Sequence, residues 1–415
     1  MKNLVAIILA AGRGTRMKSA LPKVMHELLG VPMINYCLDL VRSAGVSRIF
    51  TVIGYKKELV KDALKGVEVV VQRQLLGSGD AVNTACRALK GYSGDILVVC
   101  GDTPLIEKSA IKELVEKHKA SRCGATILTA ELKNPGGYGR IVRNQNGVIE
   151  KIIEDTEASI FEKVIVEINV GAYCFRAEDL LRSLEEIKSN NRKKEYFLTD
   201  VIAVLRKKGV AIESVSVRNA GTIIGINSRR DLAEAAGILK GMVLERLMEK
   251  GVTIVDPSTT VIGPDVAIGE DSIIYPNTVI ENGVKIGRNC RIGPFARIRP
   301  GVELADDVEV GNFVELVRTK VGAKTKIKHH TYLGDTVVGA DVNIGAGTIT
   351  ANFDGVDKNT TVIGDRVFIG VGSILIAPLK IGKGACVGAG CVIPKMRHVA
   401  PGSTVVGVPA RILKR

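Results

Sequence analysis

Two cations, Arg16 and Lys23, follow a short aliphatic run closely, in LAAGRGTRM (residues 9–17) and LPK (21–23). Basic side chains beside a glycine-rich loop suit phosphoryl transfer. Backbone N–H groups can cradle phosphates there, while the cations offset charge that builds on a phosphorus under attack. The loop lacks the third glycine of a dinucleotide fingerprint and the G-x-x-x-x-G-K-[ST] of a Walker loop, so it matches neither common class. Gln72 and Gly77-Ser78, in QRQLLGSGDA, offer an amide that can read a base edge and small residues against which a ring can lie. Asp102 follows Gly101 in VVCGDTPL, where a carboxylate can ligate magnesium or cap a helix. Far downstream, His329 and His330 are adjacent in KHHTYLGD, and one such imidazole can serve as a general base in acyl transfer.

The elements that must hold these residues change character along the chain. Up to residue 227, short β-branched runs (4–9, 48–53, 67–71, 95–100) alternate with stretches of helical spacing (33–43, 59–64, 79–89, 108–119). That alternation predicts an α/β, Rossmann-like domain with a parallel sheet and helices on both faces. Ligands of such sheets bind beyond the carboxyl ends of the strands, so the residues just after Leu9, Val71 and Cys100 are the expected site. A helical connector is expected over 228–250. From residue 251 to 415 aliphatic residues recur at every sixth position, in ten consecutive repeats from Ile262 to Leu316. The frame slips by one to Val321, Ile327 and Leu333, breaks near 351–362, and resumes at Ile363. A six-residue period predicts a parallel β-helix of hexapeptide repeats that stacks its aliphatic residues inside a narrow prism.

Composition narrows the classes further. With 46% hydrophobic residues the chain can bury a sizeable core, and no apolar run has the length of a membrane-spanning helix. The N-terminal MKNLVAIILAAG has the outline of a secretory signal, but Arg13, Arg16 and Lys18 follow at once, and it reads as the first buried strand. The eight cysteines form no CxxC pair and no zinc-like cluster, which points to free thiols and a cytoplasmic protein. A net charge of +14 could suggest nucleic acid, yet the charge is dispersed and aromatics are only 4%. With so few rings for base stacking, no nucleic-acid partner and no membrane partner are expected, and the basic surface suits small anions.

LAAGRGTRM, LPK, the Q-x-x-x-x-G-S-G run, GDTPL, GGYGRI (136–141), IIED (152–155), EINVG (167–171) and GIN (225–227) come in the order and approximate spacing of sugar-phosphate nucleotidyltransferases. The chain most resembles the family of bifunctional N-acetylglucosamine-1-phosphate uridylyltransferases / glucosamine-1-phosphate N-acetyltransferases. The double Ala of LAAG separates it from the hexose-1-phosphate nucleotidylyltransferases, which typically carry a double Gly there. The resemblance covers nearly the whole chain. It implies a nucleotidyltransferase domain over 1–227 and a left-handed β-helix acetyltransferase domain over 251–415.

The resemblance also implies roles. Leu9, Ala10, Ala11 and Gly12 would cradle the nucleotide, Gln72, Gly77 and Ser78 would hold the uracil, and Gly101 would line the site. Gly139, Glu154 and Asn169 would hold the sugar, Asp102 and Asn227 would bind Mg2+, and Arg16 and Lys23 would flank the reacting phosphates. In the second half, His329 aligns with the family's catalytic base. Arg299, Tyr332, Asn343, Ala346, Asn352, Phe353, Lys358 and Ala389 match contacts to sugar phosphate or acetyl-CoA. The implied substrates are UTP, N-acetylglucosamine-1-phosphate, glucosamine-1-phosphate and acetyl-CoA, and the implied assembly is a homotrimer. The chain departs from the pattern at Val317 (Lys in the family, with Arg318 next door), Phe353 (Tyr), His330 (Leu), Val371 (Ser) and the GVPARILKR tail. Those departures motivate an alternative in which only uridylyl transfer survives and the prism is a trimerisation module.

Overall fold

The structure is a computed structural model that describes residues 3–413, and the chain divides into two compact units, Met1–Ile238 and Leu239–Arg415. The first is built on one sheet. Its strand order is Ile212–Ser216, Ala125–Glu131, Glu167–Arg176, Asp95–Cys100, Leu4–Ala10, Arg48–Ile53, Glu68–Val71, with Arg140–Arg143 and Ile149–Ile153 as a hairpin leaning on Glu167–Arg176. Leu4–Ala10 pairs in parallel with both neighbours, and only Glu167–Arg176 runs against its neighbours along the main path.

The central strand is apolar on both sides because both sides are covered. Leu4, Ala6 and Ile8 pack with Ile34 and Leu38 of helix Met33–Ser43 and with Ile111 and Leu114 of helix Lys108–Ser121. Val5 and Ile7 pack on the other face with Val82 of Ser78–Cys86, Leu180 of Ala177–Leu184 and Leu205 of Asp200–Lys207. This two-sided burial fixes the register, so the carboxyl ends of the parallel strands release Ala11, Gln72 and Gly101 along one edge.

Helix Arg229–Met248 lies where the connector is expected, and the division between the units falls inside it, at Ile238 and Leu239. The second unit is a left-handed parallel β-helix of two- to four-residue strands gathered into three sheets of ten, eight and seven strands. Ile262 stacks on Ile280, Ile280 on Ile298 and Ile298 on Leu316, all buried. The frame slip is a coil shortened by one residue, with Leu304 stacked on Val321. At the break in the repeat, Val338 stacks on Ile363. The residues gained there form a loop closed by the Phe353–Lys358 bridge.

Glycine serves the prism in a way the period alone does not reveal. The left-handed corners are shared between Gly and other residues, among them Asp271, Asn277, Phe295, Phe313 and His330. The Gly that follows an inward aliphatic is needed for space instead. A Cβ on Gly345 would lie 2.6 Å from Val371 N of the next coil, and one on Gly311 would run into the Lys328 carbonyl.

Candidate active sites

Two cavities open at the carboxyl edge of the first sheet, and they meet on a ridge formed by Leu9, Ser78, Cys100 and Asp102. The smaller, about 490 Å³, is lined by Ala10, Ala11, Gly12, Lys23, Gln72 and Gly77. The larger, about 760 Å³, is lined by Arg16, Gly139, Glu154, Asn169 and Asn227. The strands therefore gather the glycine-loop and base-reading candidates on one side and the sugar-reading candidates on the other. Gly101 lines neither cavity; a Cβ there would stand 2.8 Å from the Leu9 carbonyl, so this glycine lets two strand ends close on each other.

Local folding explains the placement. Gly14 adopts φ 65° at the point where Lys23 passes, and a Cβ on it would sit 2.6 Å from Lys23 Cβ. Lys23 is thus pressed toward the ridge, where Nζ donates to Asp102 Oδ2 at 2.5 Å and to Asn227 Oδ1 at 3.1 Å. Arg16 Nη2 donates to the same Asn227 oxygen at 2.8 Å. Two oxygens thus converge on one ammonium. The base-side wall is a backbone weld: Tyr196 N donates to Leu76 O, Gly79 N to Tyr196 O, and Leu198 N to Ser78 Oγ. Gly77 permits it, since a Cβ there would lie 2.5 Å from Tyr196 O.

Several residues that complete the larger cavity are not among those the motifs single out. Asp231 Oδ2 accepts from Asn227 N at 2.9 Å and Ser228 N at 2.8 Å, while Ser228 Oγ accepts from Asp231 N. This is a capping box that fixes Asn227, and the S-x-x-D spelling after GIN is the signal for it. Tyr138 OH accepts from Gly225 N, and the buried Arg140 pairs with Asp155 and donates to the Tyr138 carbonyl. A register shift in Glu167–Arg176 between Asn169 and Tyr173 frees Asn169, whose amide donates to Tyr173 OH at 2.6 Å.

Glu154 accepts from Thr199 Oγ1 at 2.9 Å, and burial raises its pKa. Its neighbour Asp200 is raised to about 6, first by burial, then by Glu154 and Glu157. A raised folded-state pKa means that ionising Asp200 costs stability as pH climbs from about 4 to about 6. Asp200→Asn is therefore expected to be more stable than the parent chain at pH 7.5, by about 1 kcal/mol once solvent screening of a half-exposed carboxylate is allowed for. Denaturant melts check this: the advantage should shrink toward zero near pH 4, and an equal gain at both pH values would contradict it.

In the prism, His329 and Asn312 are register partners on adjacent coils, and Asn312 Oδ1 lies 2.7 Å from His329 Nδ1. An amide oxygen holds the proton on Nδ1 and leaves the Nε2 lone pair free, which is the orientation a general base needs. Sequence reading missed Asn312, whose position one coil earlier is its only signal. Asn312→Ala is expected to lower kcat for acetyl transfer about tenfold with little change in KM, and Asn312→Asp to restore most of it. Steady-state kinetics decide this, and a pure KM effect would refute the orienting role.

A second cluster surrounds Gly334, where a Cβ would crowd Tyr332 OH and lie 2.8 Å from Asn352 Nδ2. Asn352 Nδ2 donates to Asp335 at 2.5 Å, and Arg318 clamps the same carboxylate at 2.5 and 2.8 Å. Arg318 holds the Asp335 pKa below the carboxylate range. Val317 is buried, so Arg318 is the outward cation at this point in the coil. Arg299 pairs with Glu315, itself in register with Tyr332. Asn343 lies on the stack Lys326, Asn343, Phe368, and Phe353 and Lys358 bracket the excursion loop. Ala346, the exposed Val371 and Ala389 follow the stacked Ile344, Ile369 and Val387 by the same two residues, so they form one strip along the prism.

Comparison with known proteins matches residues 6–202 to the MobA-like NTP transferase domain. Residues 283–318 and 360–395 match the bacterial transferase hexapeptide (six repeats), and residues 259–294 match the hexapeptide repeat of succinyl-transferase. The Bifunctional protein GlmU of Geotalea uraniireducens (strain Rf4) is 40% identical, over 100% of this chain and 98% of its own. The proteins of the same name from Shouchella clausii (strain KSM-K16) and Clostridium novyi (strain NT) are 41% and 42% identical over 95% and 94% of this chain and 94% and 93% of theirs. A crystal structure of UDP-glucose pyrophosphorylase complexed with UDP-glucose overlaps 58% of this chain and 100% of its own, at 20% identity and a TM-score of 0.48.

Proposed function

The chain belongs to the family of bifunctional GlmU proteins, and from that membership we propose that it acetylates glucosamine-1-phosphate with acetyl-CoA and then joins the product to UMP from UTP. The products are UDP-N-acetylglucosamine and pyrophosphate. The observation that carries the uridylyl reading is the pair of cavities sharing a ridge at Asp102, with Lys23 and Arg16 beside it.

UTP enters the smaller cavity with its uracil against Gln72 and the Gly77-Ser78 turn, and its phosphates along residues 9–12. N-acetylglucosamine-1-phosphate enters the larger, with its hydroxyls and acetamide against Gly139, Glu154 and Asn169. The sugar-phosphate oxygen attacks the α-phosphorus in line, the new P–O bond forms, and the bond to the pyrophosphate leaving group breaks. Arg16 and Lys23 offset the accumulating negative charge.

The oxygens of Asp102 and Asn227 suit Mg2+, which prefers hard donors and takes its remaining ligands from phosphates and water. Support comes from the Lys23 ammonium, a cation already bound between those two oxygens. Among the described residues no group of three or more acidic, His or Cys side chains gathers to hold a metal. When bound, the ion would supply further neutralisation of the phosphates.

On the prism, His329 Nε2 removes a proton from the amine of glucosamine-1-phosphate as nitrogen attacks the thioester carbonyl of acetyl-CoA. The tetrahedral adduct then collapses, and CoA leaves as the thiolate. Tyr332 and Asp335 follow His329 along the same coil, with Arg318 and Asn352 reaching Asp335 from the coils before and after, and this cluster is placed to receive the sugar phosphate. Ala346, Val371 and Ala389 offer a small, apolar strip for CoA.

We further infer a homotrimer, supported by the exposed ladder of Phe295, Phe313 and His330 stacked at 5.2 and 5.0 Å beside His329. Its substrates are intracellular metabolites, so the cytoplasm is the expected location; among the described residues no helix is long and apolar enough to cross a membrane. Two assays on the purified chain test the reading. Pyrophosphate release is measured with UTP, N-acetylglucosamine-1-phosphate and magnesium, and thiol release with acetyl-CoA and glucosamine-1-phosphate. Pyrophosphate without thiol would leave the uridylyltransferase alone, with the prism as an assembly module.

A further inference from the structure

Gln72 is 5% exposed and lines the smaller cavity. Both hydrogens of its amide are committed. Nε2 donates to the Gly77 carbonyl at 3.1 Å and to Asp80 Oδ2 at 2.7 Å. Both partners are acceptors only, so the flipped amide would set oxygen against oxygen at two points. The Asp80 bond is charge-assisted and short, hence the stronger of the two restraints. Asp80 sits in the first turn of helix Ser78–Cys86, where a carboxylate is favoured. Among the described residues Gln72 Oε1 has no protein partner, although the side chain is nineteen-twentieths enclosed.

We propose that Asp80 is a positioning residue for base selection: by holding the NH₂ of Gln72 it leaves a hydrogen-bond acceptor as the group facing the base. An acceptor at that point suits an imide N3–H, the edge that uracil and thymine present. Cytosine presents a lone pair at N3, and oxygen against that lone pair is repulsive. With Asp80 in place the amide cannot turn its NH₂ toward N3 to accommodate it. Asp80 thereby excludes one pyrimidine class without touching any nucleotide. The inference rests on the uridylyl reading of this cavity.

The test compares kcat/KM for UTP, dTTP and CTP, with N-acetylglucosamine-1-phosphate as acceptor, in the parent chain, Asp80→Asn and Asp80→Ala. Asn can donate as well as accept, so it removes the restraint at nearly constant shape. The expected result is a parent that prefers UTP over CTP by a hundredfold or more, and a UTP-to-CTP ratio that falls about tenfold in both variants. The UTP-to-dTTP ratio should stay constant, because the two bases share the imide. A purely structural effect would lower all three substrates together, and that parallel loss overturns the proposal. A parent chain that turns over CTP as well as UTP also overturns it while leaving uridylyl transfer standing. A parent that uses none of these pyrimidines removes the uridylyl reading itself. Thermal melts of both variants separate misfolding from lost selectivity.

Discussion

His329→Ala is expected to cut thiol release from acetyl-CoA by about a hundredfold or more, while pyrophosphate release from UTP stays at the parental rate. The imidazole is exposed, and its hydrogen-bond partner is Asn312 on the preceding coil. Removing it therefore leaves the prism intact and takes away the group that accepts the amine proton. Confinement to one activity follows from the division of the chain, since His329 and the two nucleotide-side cavities lie in different compact units. The adjacent His330 provides the control. It stacks on Phe313 at 5.0 Å in a left-handed corner, so its ring is turned to the aromatic ladder, and His330→Leu should retain acetyl transfer. Loss of both activities in His329→Ala, or equal loss in His330→Leu, would contradict the assignment of the base.

Arg16→Ala is expected to lower kcat for uridylyl transfer by about 10²- to 10³-fold and leave thiol release unchanged. Arg16 is exposed; it donates to the Asn227 oxygen and acts electrostatically on the Asp231 carboxylate, so substitution costs the fold little. What it removes is a positive charge at the larger cavity, next to the ridge where Lys23 already holds Asp102. Lys23→Met should be at least as severe, because it also leaves the Asp102 carboxylate without its 2.5 Å partner. Arg16→Lys keeps the charge without the planar fork, and partial recovery in that variant would tie the effect to charge rather than shape. A loss expressed wholly in KM would assign Arg16 to binding instead of to the developing charge.

The parts of this molecule that could be read from the chain are those with a period or a punctuated motif. The hexapeptide spacing announces the prism because each inward slot repeats at constant distance, and even the one-residue slip at Val321 is visible in the letters. The aliphatic runs at 4–9 and 95–100 announce a buried parallel sheet, and with it the edge where Leu9, Gln72 and Asp102 gather. What stayed hidden are contacts whose geometry belongs to neither partner alone. Asn312 gains meaning only because a coil returns His329 to its side. Asp80 reads as an ordinary acidic residue of a first helical turn until Gln72 is folded against it. Gly101 is expected to line the nucleotide site, yet its missing Cβ serves the approach of two strand ends.

The stacking steps of the prism also limit how such a chain can change. Where Ile262 meets Ile280 the step is one full coil. Where Leu304 meets Val321 it is a residue shorter, and where Val338 meets Ile363 the surplus leaves as a loop while the next strands realign at once. Each coil contacts only the coils above and below it, so stability adds up by neighbours and order can spread from any point along the axis. Loss or gain of material is therefore accommodated here as a one-residue trim of a coil, as at Val321, or as an excursion at a corner, which leaves the column unchanged; a whole turn of the helix would lengthen or shorten the column. A deletion of two or three residues within a coil would instead rotate every later aliphatic out of the interior, so the reading frame of this fold is a geometric one, policed by the prism itself.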